Sequence, residues 1–114
     1  MAETLFTKII KRELPAEIVY ETEKILAFRD INPQAPVHIL IIPKEPIPTI
    51  NDLTDRHAEV VGQLYLAAAQ LAEDEGIAES GYRVVMNCNK DGGQMVYHLH
   101  LHLLGGRQMH WPPG

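Results

Sequence analysis

Apolar residues recur along the chain in two periods, and those periods divide it into elements. Leu5, Phe6, Ile9 and Ile10 are spaced as one face of a short helix over Leu5–Lys11, stopped by Leu14-Pro15. Ile18–Tyr20 and Ile25–Asp30 read as strands, and Asn32-Pro33-Gln34-Ala35-Pro36 as a turn. Val37–Ile42 is a near-continuous apolar run rich in β-branched residues. It is too short for a good helix and predicts a central strand, ended by Pro43, Pro46 and Pro48. Val60, Val61, Leu64, Ala67, Ala68 and Leu71 form one stripe of a helix from about Thr54 to Glu75. Thr54 or Asp55 is its candidate N-cap, and Gly76 suits the position just past its end. Tyr82–Asn87 and Val96–Leu104 are two further strands, joined by Asn89-Lys90-Asp91-Gly92-Gly93, a connection short enough for a hairpin. Strands on short links pair antiparallel. With the helices set apart from them, the fold class is α+β, the long helix covering one face of the sheet.

The last strand carries the candidate chemistry. In Tyr97-His98-Leu99-His100-Leu101-His102-Leu103-Leu104, side chains alternate across the sheet. Leu99, Leu101 and Leu103 share the face that packs under the long helix. His98, His100 and His102 share the other, where buried imidazoles need partners. Three readings are open: satisfied sheet histidines, a metal site, or a histidine nucleophile among histidine neighbours. Geometry limits the second. His98 and His102 lie about 13 Å apart along an extended strand, so all three cannot close on one ion at about 2 Å. Two of them can, with ligands from elsewhere. In the third reading one imidazole attacks, its other ring nitrogen donates to a fixed acceptor, and a neighbouring imidazole serves the leaving group. His100, flanked on both sides, is the natural nucleophile. His38, on the Val37–Ile42 strand, is the candidate fourth imidazole.

Composition narrows the partners. The 114 residues suit one domain, and six of them are histidine. Ten basic against fifteen acidic residues give a net charge of −5, which argues against binding polymeric nucleic acid. That balance leaves room for a single phosphate held by imidazoles. One cysteine, Cys88, excludes an internal disulfide and reads as a small buried hydrophobe. There is no membrane-length apolar run and no targeting segment, so the expectation is a cytoplasmic protein without membrane contact. His57 reads as a solvated residue near the helix start, and His110 has no assigned role.

The His-x-His-x-His pattern does not stand alone. Leu5-Phe6-Thr7-Lys8-Ile9-Ile10, Ala27-Phe28-Arg29-Asp30-Ile31, Gln34-Ala35-Pro36-Val37-His38, Asp91-Gly92-Gly93-Gln94 and the tail Gly105–Gly114 accompany it. Together they resemble the histidine-triad (HIT) family, in its Hint branch, over essentially the whole chain. The resemblance implies one HIT-like domain over 1–114, with a five-stranded antiparallel sheet, one long helix and a short N-terminal helix. It implies a homodimer whose tail, residues 105–114, lies at the interface and the active site. The implied reaction cleaves the P–N bond of purine nucleoside 5′-phosphoramidates, most of all the adenosine type. It passes through a nucleotidyl-histidine and releases AMP, with no cofactor and no metal.

Roles follow residue by residue from the same resemblance. His100 is the nucleophile, and the His98 carbonyl orients its ring. His102 contacts the phosphate and leaving group, with His38 supporting it. Asp30 binds the ribose hydroxyls, Asn87 and Gln94 make polar contacts nearby, and Gly93 brings backbone close to the phosphate. Leu5, Phe6, Ile9, Phe28, Ile31 and Leu40 form the apolar base pocket, and Trp111 reaches the partner protomer's site. Met95 stands where many Hint-type chains have a serine, which implies an altered leaving-group preference. The alternatives are a non-catalytic nucleotide-binding or protein-interaction module on this fold, and a metal-binding protein.

Overall fold

A computed structural model describes residues 3–114. Five strands form one sheet: β1 (Ile18–Glu21), β2 (Ile25–Arg29), β3 (Val37–Pro43), β4 (Tyr82–Val85) and β5 (Leu101–Gly105). Their order is β1-β2-β3-β5-β4, with every neighbouring pair antiparallel. Helix α2 (Ala58–Asp74) covers one face and the short α1 (Leu5–Ile10) the other.

Alternation along the strands decides what each face holds. Ile25, Ala27, Ile39, Ile41, Leu101 and Leu103 pack with Leu64, Ala67, Ala68 and Leu71 of α2 in the main core. Leu99 joins them, so the leucine face predicted from the sequence lies under the long helix. Leu26, Phe28, Leu40 and Ile42 turn the other way and meet Phe6 and Ile9 of α1 in a smaller core. This burial on both faces is why β3 reads as a continuous apolar run.

Helix α1 is held at its start by a reciprocal cap, Thr7 N donating to Thr4 Oγ1 and Thr4 N to Thr7 Oγ1. It ends where Arg12 takes φ 63°. Helix α2 follows a 3₁₀ turn over Asp55–His57, and Gly76, at φ 74°, lies just beyond its C-cap Glu75.

Several details differ from the sequence reading. The 89–93 connection is not a tight hairpin: it is a short helix, α3 (Asn89–Gly92), entered through Asn89 at φ 61° and left through Gly93 at φ 81°. The last strand begins at Leu101 rather than Val96. Ladder pairing to β3 stops at Ile41–Leu101, and the chain before it bends away. There Leu99 N donates to Ile47 O at 2.6 Å instead. His57 is also not solvated. It is 5% exposed, and its Nδ1 accepts from Thr54 N at 2.9 Å, filling the role of a capping-box acid at the head of α2. Cys88 is a free thiol of intermediate exposure. Among the described residues no helix is long and apolar enough to cross a membrane.

Candidate active site

Antiparallel register sets the imidazoles beside one another. Leu40 of β3 pairs with His102 of β5, and His38 pairs with Leu104, so His38 and His102 are diagonal neighbours on one face. Their ring centroids are 5.2 Å apart, and those of His100 and His102 are 4.9 Å apart. Phe6 of α1 stands edge-on to His100, centroids 5.0 Å apart and planes at 88°. It therefore links the small core to the histidine cluster.

Backbone groups fix the proton on three rings of the cluster, and His38 fixes it on the fourth, His102. A carbonyl can only accept, so the 2.7 Å contact from His100 Nδ1 to His98 O requires Nδ1–H and leaves Nε2 of neutral His100 as a bare lone pair. The 2.7 Å contact from His98 Nε2 to Pro43 O likewise requires Nε2–H. That leaves Nδ1 of His98 bare, and this atom is buried without a partner. A backbone N–H can only donate, so Gln34 N at 3.0 Å requires a bare Nδ1 on His38. Neutral His38 then carries Nε2–H and donates to His102 Nδ1 at 2.9 Å. The remaining proton of His102 sits on Nε2. The cluster thus presents one lone pair, from His100, and one N–H donor, from His102.

Electrostatics keeps these rings neutral. Burial pushes His38, His98 and His100 below the ordinary imidazole value. Burial, followed by repulsion from His100 and then His38, lowers His102 to about 4. Protonation at His102 Nδ1 would set its N–H against the N–H of His38. Asp30 partly offsets the shift on His38, its Oδ2 lying 3.5 Å from His38 Nε2.

The cluster opens into a cavity of about 430 Å³, a volume suited to a mononucleotide-sized ligand. Of the residues singled out in the sequence, Leu5, Phe6, Ile9, Phe28, Asp30, Ile31, Leu40, Asn87, Gly93, Met95, His100 and His102 line it. Four do not. His38 and His98 lie behind the lining, at 6% and 0% exposure. Gln94 is buried and its amide is fully engaged: Oε1 accepts from Asn89 N, and Nε2 donates to Pro48 O and Val96 O. Its place is in the framework of the loop, not at the cavity surface. Trp111 is exposed and apart from the cavity of its own chain.

Leu14, Pro15, Ala16 and Val96 also line the cavity and were not singled out. They come from irregular chain on either side of the elements, where periodicity carries no signal. Asp30 belongs to the cavity wall and to the turn after β2. It lines the cavity, and its Oδ1 accepts from Asn32 N at 2.8 Å as turn chemistry does. Arg29 is a tether: its guanidinium holds Glu75 at the end of α2 with two bonds, at 2.9 and 3.0 Å, and Glu17 with a third. Apart from this engaged arginine, the cavity lining contains no cationic lysine or arginine.

Comparison with known proteins gives the family. The HIT domain profile matches residues 11–109. The chain belongs to the HIT family. It is 58% identical over 107 residues to the purine nucleoside phosphoramidase of Escherichia coli (strain K12), covering 94% of this chain and 90% of that one. It is also 58% identical over 113 residues to the 14 kDa zinc-binding protein of Zea mays, covering 97% and 88%. Among solved structures, a HIT family hydrolase from Legionella pneumophila Philadelphia 1 superposes with a TM-score of 0.96 at 58% identity. It covers 98% of this chain and 100% of its own. One further property of this HIT cluster is chemical. Asp30, His38 and His102 each offer a ligand atom, all within 4.8 Å of one another, a set able to approach a divalent cation.

Proposed function

We propose that this protein hydrolyses the P–N bond of purine nucleoside 5′-phosphoramidates, taking adenosine 5′-phosphoramidate as substrate. The supporting observation is the pairing of a bare His100 Nε2 with an N–H donor on His102 at one cavity wall. The name of the E. coli relative agrees with it.

The reaction runs in two displacements. His100 Nε2 attacks the α-phosphorus, forming a P–N bond to the imidazole while the bond to the leaving nitrogen breaks. The departing nitrogen takes the His102 Nε2 proton and leaves as the amine, while His102 passes to the imidazolate beside the cationic nucleotidyl-His100. Water then attacks the nucleotidyl-histidine, its proton returns to His102, and AMP leaves as His100 is restored. The His98 carbonyl stabilises the positive charge that builds on His100 through Nδ1–H. Leu5, Phe6, Ile9, Phe28, Ile31 and Leu40 enclose the base, and Asp30 accepts from the ribose hydroxyls. Asn87 and the Gly93 backbone lie near the phosphate, and Met95 borders the leaving group.

Release of AMP from adenosine 5′-phosphoramidate, abolished in His100→Ala, tests the reading. A variant as active as the parent would exclude His100 as nucleophile. A nucleotide-binding module without catalysis would bind AMP and release none from the phosphoramidate.

The proposal includes a homodimer in the cytoplasm, with Trp111 of each protomer reaching the other's site. In support, β4 is an edge strand, paired among the described residues only with β5, and so offers a free row of backbone groups. Light scattering tests it, a 12.8 kDa particle contradicting the dimer.

The Asp30–His38–His102 set, with the name of the maize relative, favours a second reading in which zinc binds. Two ligands of tetrahedral zinc lie about 3.3 Å apart, and His38 Nε2 and His102 Nδ1 are 2.9 Å apart with a proton between them. An ion there must displace that proton, which His38 cannot shift to an Nδ1 that already accepts from Gln34 N. Activity that survives EDTA and falls with added zinc supports the hydrolase. Activity lost to EDTA and restored by zinc supports the metal reading.

A further inference from the structure

The proton on His102 is set from outside the cavity. Gln34 N–H is a donor whatever the state of the ring beside it, and its 3.0 Å contact forces the His38 tautomer, which in turn forces that of His102. Neither the Pro33–Pro36 segment nor the chain after β5 lines the cavity, yet the two touch. Arg107 Nε donates to Gln34 O at 3.0 Å, and Arg107 Nη1 donates to Gln108 O at 3.2 Å. Gly106, at φ 89°, lets the tail backbone lie against Pro36. A Cβ at that position would come 2.9 Å from Pro36 Cβ. Among the described ion pairs Arg107 has no carboxylate partner, so its guanidinium is bonded to carbonyls alone.

We propose that Arg107 is a positioning residue. By holding Gln34 from the tail side, it keeps the Gln34 N–H on His38 Nδ1 and so determines that His102 offers a proton, not a lone pair, to the leaving group. The step rests on the reading of His102 as donor. It also couples the C-terminal tail to the chemistry through named contacts: Arg107 to Gln34, Gln34 to His38, and His38 to His102.

The test reads tautomers and turnover separately. In the parent chain labelled with ¹⁵N-histidine, His102 should give two well-separated nitrogen signals, one bare (Nδ1) and one protonated (Nε2). In Arg107→Ala those two signals should move toward each other. kcat should fall on the order of tenfold with KM within about twofold, because the donor acts in the transition state and not in binding. Arg107→Lys, still able to donate to Gln34 O, should recover most of both. Gln34→Pro removes the N–H itself and should move the same signals further. Arg56→Ala removes a surface arginine paired with Glu45 and should leave signals and kcat unchanged.

Parent-like His102 signals in Arg107→Ala would overturn the proposal, and so would shifted signals with unchanged kcat. A His102→Ala variant, which has no donor, with parental kcat would remove the donor role itself, and the proposal with it. That outcome is read on a different variant and is told apart from a failure of the Arg107 step.

Discussion

The acid side of the pH profile should lie below the ordinary imidazole value. His100 must be neutral to attack, and His102 must keep Nδ1 bare to accept from His38. Both are lowered, chiefly by burial, His102 to about 4. At pH 5.5 an unperturbed imidazole with pKa near 6.5 would be about 90% protonated, leaving about a tenth of plateau activity. A group at about 4 is then only about 3% protonated. The free-enzyme profile of kcat/KM reports these groups. AMP release from adenosine 5′-phosphoramidate, with the uncatalysed rate subtracted at each pH, should stay above the half of plateau at pH 6.5 and the tenth or so at pH 5.5 that an unperturbed imidazole would leave. Far-UV circular dichroism at each pH separates titration from unfolding. An acid limb centred at 6.5 or above, with the fold intact, would refute the reasoning. The same shifts act on stability. Below 6.5 the unfolded chain binds protons that the buried rings refuse. The stability they contribute is therefore present above 6.5 and lost as pH falls toward about 4.

Other substitutions separate framework from chemistry. Arg29→Met should lower stability by about 1 kcal/mol through loss of the Glu75 tether, with kcat/KM within twofold. A hundredfold loss of activity would make Arg29 a phosphate ligand instead. Gln94→Leu strands Asn89 N and Pro48 O and should cost about 2–3 kcal/mol in denaturant unfolding, whereas an equally stable variant would contradict its framework role. Met95→Ser, at a position 88% exposed, should leave stability within about 0.5 kcal/mol while changing relative rates among phosphoramidates with different amines. Unchanged relative rates would sink the leaving-group role.

Much of this site was legible because period-two patterning states which face a residue takes. It separated Leu99, Leu101 and Leu103 from His98, His100 and His102, and it marked β3 as central. It does not state which groups will be adjacent off the ladder. The bend before Leu101, the short helix α3 and the consumption of Gln94 by three backbone groups follow from loop contacts that no periodicity encodes. His57 was misread for a related reason. A histidine three residues after Thr54 reads as a solvated side chain, yet its Nδ1 accepts from Thr54 N. The tautomer chain is set by the backbone amide of Gln34, and a backbone amide has no signature in a residue list.

The central claim is that His100 Nε2 becomes covalently bonded to phosphorus. Rapid acid-free quenching of the protein during turnover of adenosine 5′-phosphoramidate, followed by peptide mass spectrometry, tests it directly. The account expects an adenylyl group on His100, absent from His100→Ala and lost on further incubation as AMP appears. Steady AMP release with no adduct, or an adduct on another residue, would contradict it.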